Sequence, residues 1–394
     1  MYKFIISISV IIGFASCIEL YDPEVGEYLS TLVVEGFVSD RIGASEIKLS
    51  TSFAYDENSG NAVSGAKITI EDDNGGQFEF SELEAGIYKS NDSAFKGNAG
   101  NSYRLLIALL DGQSYESNWE LLKPSPQITS VEYEIVEQLQ NEPGSESLLV
   151  ANFFVNTEDP SESTKYYKWT WEETFEFALT SPSRIRVAGS GGDEVIRVPF
   201  DDFEGNSCYK TVLSNQIYIA TTENLLENKI TRMPIHSFGN TSPRLAFQYS
   251  ILVKQFAISK ENYLFLKKIE EINEGRGDLF DPIPNEIFGN IKSSGDQSSP
   301  VLGFFGVGGI SEQRIIVYRD DIPREFAPIR GPHCVSDTIP LNFTLLSNSI
   351  ANGRKVLYEY HSIIGVGNIG YILTDAPCNV CSASESTNVK PDFW

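Results

Sequence analysis

The chain has 394 residues, enough for two domains, and 41% of them are hydrophobic, enough to fill real cores. Aromatics make up 12%, with 24 Phe and 18 Tyr against 2 Met, a balance that favours strands over helix bundles. The net charge of −24 excludes nucleic acid and anionic membrane surfaces as natural partners.

The amino terminus sets the expected compartment. Lys3 is the one charge before Glu19, and an apolar run follows it over residues 4–14. That run is too short to span a bilayer, which takes about 20 helical residues. It ends in Phe14-Ala15-Ser16-Cys17, small residues before a cysteine. This is the pattern of a signal peptide over residues 1–16 with a lipoprotein cleavage site. Cys17 becomes the diacylated first residue of the mature chain, an anchor in outer-membrane lipid. Residues 17–30 then form a lipidated tether. Its Ile-Glu-Leu-Tyr-Asp-Pro-Glu start resembles the surface-export signal of Bacteroidota lipoproteins, which implies a cell-surface location.

Four cysteines remain: Cys208, Cys334, Cys378 and Cys381. In an oxidising compartment an even number suggests two disulfides, with three connectivities open. We expect Cys208–Cys334 with a local Cys378–Cys381. The rival is zinc held by His333, Cys334, Cys378 and Cys381, for which a single CxxC is a weak signal.

Residues 31–123 alternate as short strands. Ile47 and Leu49 point one way, Lys48 and Ser50 the other; Lys67-Ile68-Thr69-Ile70 alternates again. Asn74-Gly75 is a hairpin signal, and Gly turns precede Ile87 and Tyr103. About seven strands with turns every 8–12 residues predict an Ig-like β-sandwich. The phrases Val63-Ser64-Gly65-Ala66-Lys67-Ile68-Thr69-Ile70, Gly86-Ile87-Tyr88 and Tyr103-Arg104-Leu105 resemble carboxypeptidase-regulatory-like and transthyretin-like sandwiches. Such modules are usually structural or docking units.

Pro124-Ser125-Pro126 is a stiff boundary. Residues 124–394 read as a larger antiparallel β domain with one amphipathic helix. Tyr167, Trp169 and Trp171 share one face of a strand. They fit either a sugar-stacking platform or, as we expect, a packed core. Residues 181–205 form a Gly- and Asp-rich loop or hairpin. Its Asp193-Glu194 and Asp201-Asp202 pairs lack the spacing of a full calcium loop, so no metal is expected. Residues 244–256 are the longest strand candidate. Ser259 caps a helix over 260–274, with Tyr263, Phe265, Leu266, Ile269 and Ile272 as its apolar stripe. Its default is to pack on its own sheet. Residues 277–314 then compress Pro turns, an apolar run and the glycines 303, 306, 308 and 309 into one connector. Short elements are expected over 342–346 and 356–361, and a terminal Trp394 tucked into the domain.

The whole mature chain resembles an outer-membrane lipoprotein family of Bacteroidota known as domain of unknown function 4249. The resemblance is carried by Val33-Val34-Glu35-Gly36, Tyr167-Lys168-Trp169, Cys208-Tyr209, Tyr249-Ser250-Ile251-Leu252-Val253-Lys254-Gln255 and Ser259-Lys260-Glu261-Asn262-Tyr263. It continues through residues 284–290, Leu302-Gly303-Phe304-Phe305, the Cys378 and Cys381 pair and the Lys390-Pro391-Asp392-Phe393-Trp394 ending. Such proteins are usually encoded beside SusC-like TonB-dependent receptors. The resemblance therefore implies a lipid-anchored accessory of a transporter, acting by ligand capture or as a lid, and no cofactor.

Enzyme motifs are absent: there is no Gly-x-Ser-x-Gly, no His-Glu-x-x-His and no phosphate loop, and His236, His333 and His361 are scattered. No catalytic residue is therefore expected. The alternatives to the accessory role are a structural subunit of an outer-membrane complex and a surface hydrolase with paired carboxylates. Asp92-Ser93-Ala94 and Asp337-Thr338-Ile339 resemble the Bacteroidota O-glycosylation pattern, which makes Ser93 and Thr338 candidate acceptors.

Overall fold

Alternating apolar and polar residues become strands through most of the chain, and the fold is mainly β as its sequence predicts. The computed structural model describes residues 30–53, 60–138, 148–182, 185–188, 194–197, 207–274, 287, 289–295, 300–326, 328–329, 331–340, 342–361 and 368–394. The signal peptide, Cys17, the tether up to residue 29 and the carboxylates Asp193, Asp201 and Asp202 lie outside them.

The first region supplies β1 (Leu32–Ser39), β2 (Glu46–Thr51), β3 (Lys67–Asp72), β4 (Gln77–Glu84), β5 (Ile87–Ser90), β6 (Ser102–Ala108), β7 (Ser114–Ser117) and β8 (Glu120–Leu121). The predicted Asn-Gly turn joins β3 to β4. Asp72 Oδ1 accepts from the Asn74 and Gly76 amides, and Gly75 takes a φ of 86° that few side chains tolerate.

The second region runs β9 (Ile128–Gln138), β10 (Leu148–Glu158), β11 (Tyr166–Ala178), β12 (Ile185–Ala188), β13 (Glu194–Arg197), β14 (Ser207–Leu213), β15 (Tyr218–Thr221), β16 (Lys229–Gly239) and β17 (Gln248–Ala257). Helix α1 (Lys260–Glu274) follows, then β18 (Ile291–Ser293), β19 (Val301–Gly308) and β20 (Ile310–Tyr318). The chain closes with β21 (Ser336–Pro340), α2 (Phe343–Ala351), β22 (Arg354–His361) and β23 (Asn368–Asp375). Helix α1 has the expected bounds, and the Ser259 hydroxyl caps it by accepting from the Asn262 amide at 3.1 Å. The long strand starts later than predicted, at Gln248. Residues 243–247 turn instead, with Leu245 buried in the left-handed region at φ 64°.

The first region does not complete its own sheet. Ten strands share one sheet: nine follow the path β18-β7-β6-β3-β4-β5-β2-β1-β19, and β8 pairs with β6 beside it. Its ends meet, because β18 lies against β19. Two of the ten strands therefore come from beyond residue 290. Strand β19 pairs parallel with β1, Leu32 opposite Val301 through Ser39 opposite Gly308. The enclosed core holds Val34, Ile47, Leu49, Ile68, Tyr88, Leu105 and Phe305.

Two further sheets, β16-β10-β9 and β14-β11-β17-β20 with β15 on β11, enclose the second core. Tyr167, Trp169 and Trp171 fill it, 0%, 0% and 7% exposed, so the core reading of the aromatic stripe holds. Their polar atoms are satisfied inside. Trp169 Nε1 donates to Gln255 Oε1, Trp171 Nε1 to the Ile235 carbonyl, and the Tyr167 hydroxyl to Asn228 Oδ1. A small sheet, β21-β23-β22, packs with α2 around Leu346 and Leu373. Trp394 lies edge-on to Tyr209 at 5.3 Å, which tucks the carboxyl-terminal residues against β14.

The proline boundary is pinned from both sides. Gln255 Nε2 and the Ser311 hydroxyl donate to the Pro126 carbonyl at 2.9 and 2.6 Å, and Gly309 N donates to the Lys123 carbonyl. Gly308 and Gly309 are where the chain leaves the first sheet and enters the second. A Cβ on Gly308 would fall 1.8 Å from the Ala257 carbonyl oxygen, so no other residue fits this crossing.

Candidate functional site

Alternation decides what the outer faces of these sheets present. On β11 and β17 the core takes Tyr167, Trp169, Val253 and Gln255, which leaves Lys168, Lys254 and Phe256 outward. On β1 the core takes Val34 and Val38, which leaves Val33, Glu35 and Phe37 outward. Helix α1 runs beside both faces, and its stripe of Phe265, Leu266, Ile269 and Ile272 is only half-buried. The three surfaces bound an open cleft of about 950 Å³. That volume is at the upper end of small-molecule sites, about 300–1,000 Å³.

The walls are mostly apolar. Phe37 meets Phe256 edge-on at 5.2 Å, and Phe265 meets Phe304 at 5.3 Å. Four lysines reach the cleft: Lys48, Lys89, Lys168 and Lys254. Lys48 pairs with Glu35 at 3.9 Å and Lys89 with Glu46 at 3.4 Å, both exposed at the rim. Lys168 and Lys254 have no ion pair among the described residues. Lys168 Nζ sits 5.7 Å from the centre of the Phe256 ring. Burial pushes its ammonium below the ordinary lysine value, against a weaker opposing pull from Glu35.

A second polar cluster lies between the two sheets of the second core. Glu173 is fully buried and accepts from Arg244 Nε at 2.7 Å and from the Tyr249 hydroxyl at 3.0 Å. His236 Nε2 lies 3.0 Å from the same carboxylate. Burial opposes the charge, but the hydrogen bonds from His236 and Arg244 outweigh it and hold the Glu173 carboxyl below its ordinary range. A carboxylate only accepts, so His236 Nε2–H is the donor. Arg244 reaches Glu173 because the turn at Leu245 aims it there. The cluster is committed to itself and ties β11, β16 and β17 together. Glu120 shows the opposite behaviour: burial pushes its carboxyl up, while Ser259 and Asn290 hydrogen bonds pull it down. It sits under the start of α1, and nothing in the local sequence marks it.

The cysteines correct the expected pairing. Cys208 joins Cys381 and Cys334 joins Cys378. Cys378 ends one 3₁₀ turn and Cys381 starts the next, and the two sulfurs serve different neighbours. Cys378 Sγ lies near the His333 carbonyl and Cys381 Sγ near the Ser207 carbonyl. Both disulfides consume the thiolates that zinc would need, and no metal-holding group occurs among the described residues. Ser93 is exposed in the turn before β6, and Thr338 is exposed on the edge strand β21.

This architecture defines a mainly β protein with a cleft where two sheets and a helix meet. The chain belongs to the family described as Domain of unknown function (DUF4249), which matches residues 18–314. The matched region spans the first core, most of the second, α1 and the crossing into β20. No curated protein matches the chain.

Proposed function

We infer that the protein is a non-enzymatic accessory of a SusC-like TonB-dependent receptor in the outer membrane of a Bacteroidota cell. The acylated Cys17 anchors it in lipid at the cell surface, and the cleft captures ligand for the receptor. The first ten-stranded unit serves as a transthyretin-like docking module beside it. The observation that carries this reading is the cleft itself. Its apolar walls and lysines offer packing and counter-charge, the chemistry of holding a molecule. The test is affinity purification of the tagged protein from its own outer membrane in mild detergent, followed by mass spectrometry. A stoichiometric SusC-like barrel is the expected outcome; a clean monomer overturns the reading.

A further inference from the structure

We propose that the cleft takes a small amphipathic anion, whose apolar body lies against Phe37, Phe256, Phe265 and Phe304 and whose carboxylate meets Lys168. The proposal rests on the ligand-capture reading and names the class of ligand. Its basis is charge complementarity in an unusual setting. The chain has 54 acidic residues against 30 Lys and Arg, so carboxylates are plentiful. At the rim they are used: Lys48 has Glu35 and Lys89 has Glu46. Deeper, Lys168 and Lys254 face the same space with no carboxylate at ion-pair distance among the described residues. A half-buried ammonium against an aromatic ring lacks the counter-charge that would offset its lost hydration. An incoming carboxylate supplies it.

The walls set the rest of the ligand. The α1 stripe is apolar yet only half-covered, and it faces Phe304 and the outward Phe37 and Phe256. Burying the remaining area favours a molecule with an apolar body, since apolar surface removed from water stabilises the complex. An uncharged glycan would find few hydrogen-bonding partners there, since the polar groups of the lining are the lysines, Glu35, Glu46 and Asn262. No covalent step is involved. The site binds and releases.

Two compounds with one ring system test this. The full protein in zwitterionic nanodiscs is titrated calorimetrically with 1-naphthylacetate and with the neutral 2-(1-naphthyl)ethanol, and empty nanodiscs are subtracted. The acid is expected to bind about tenfold more tightly than the alcohol, the scale of one partly desolvated ion pair. Lys168→Met should lower the acid's affinity by about the same factor and leave the alcohol unchanged, while Lys168→Arg keeps the preference. Phe265→Ala should weaken both compounds. Equal binding of acid and alcohol, or no effect of Lys168→Met, overturns the proposal. So does absence of heat from either compound, the result if the chain's own residues or a second copy fill the cleft. The two levels separate cleanly. A co-purifying barrel without naphthyl binding sinks the ligand class alone. Acid-selective binding without a barrel sinks the transporter role and leaves the ligand class standing.

Discussion

Single residues show how burial and partnership decide a charge's behaviour. Glu173 is buried among three donors, so its removal leaves Arg244 facing a neutral group inside the core. Glu173→Gln is expected to lower stability by about 2–3 kcal/mol at neutral pH, the low end for a broken buried pair because Arg244 keeps a path to water. The pH dependence has a fixed sign. The folded carboxyl titrates below its ordinary 4.5, so its contribution is fully present above that value and is lost as pH falls beneath it. Urea midpoints of wild type and variant should therefore differ at neutral pH and converge as the medium is acidified below about pH 4. A gap that persists in acid would show that the loss is one of packing. Part of this scale was legible beforehand. Tyr167, Trp169 and Trp171 read as core because strands bury alternate residues, and the same alternation put Lys168 on the opposite face. What the sequence does not carry is what covers that face. Lys168 becomes a cleft residue only because β1 and α1, distant in the chain, arrive beside it.

Elements reveal where local reading stops. Helix α1 was legible over its whole length, since its Ser259 cap and its apolar stripe are local signals. The cysteine pairing was not. A CxxC spacing says that two sulfurs are near in sequence, and here successive 3₁₀ turns send one to Cys208 on β14 and the other to Cys334 in the segment before β21. The expectation for 244–256 failed at its start because the left-handed backbone at Leu245 interrupts the extended chain, and Arg244 beside it bonds Glu173. The Cys208–Cys381 bond closes a 173-residue separation and is the covalent tie between β14 and the carboxyl-terminal segment. Cys208→Ser with Cys381→Ser should cost about 2–4 kcal/mol, the usual range for a long loop. Limited proteolysis should then cut the segment beyond residue 368 before the rest. Unchanged protease resistance would mean that the Cys334–Cys378 bond and the packing of Trp394 on Tyr209 hold the segment without it.

At the scale of the molecule, the two large units are interleaved. The segment around Pro124 is hydrogen-bonded to β17 and β20, and two strands of the first sheet come from beyond it. Sequence periodicity finds strands well and says nothing of which sheet they join. A fragment of residues 30–123 lacks β18 and β19, so its β1 edge would stand open. We expect that fragment to aggregate or to unfold without a cooperative transition, whereas the full chain unfolds cooperatively. Cooperative unfolding of the isolated fragment by calorimetry would show that eight strands suffice.

The parallel pairing of β1 with β19 also sets a clock. Arg41 and Ile310 meet across 269 residues, so the first sheet cannot close until three-quarters of the chain has been made. At about 5–20 residues per second, synthesis alone leaves β1 waiting tens of seconds for its neighbour. Until then β1 presents an unpaired edge and the amino-terminal sheet stays open. This topology postpones completion of the amino-terminal sheet until over half of the carboxyl-terminal half has been made.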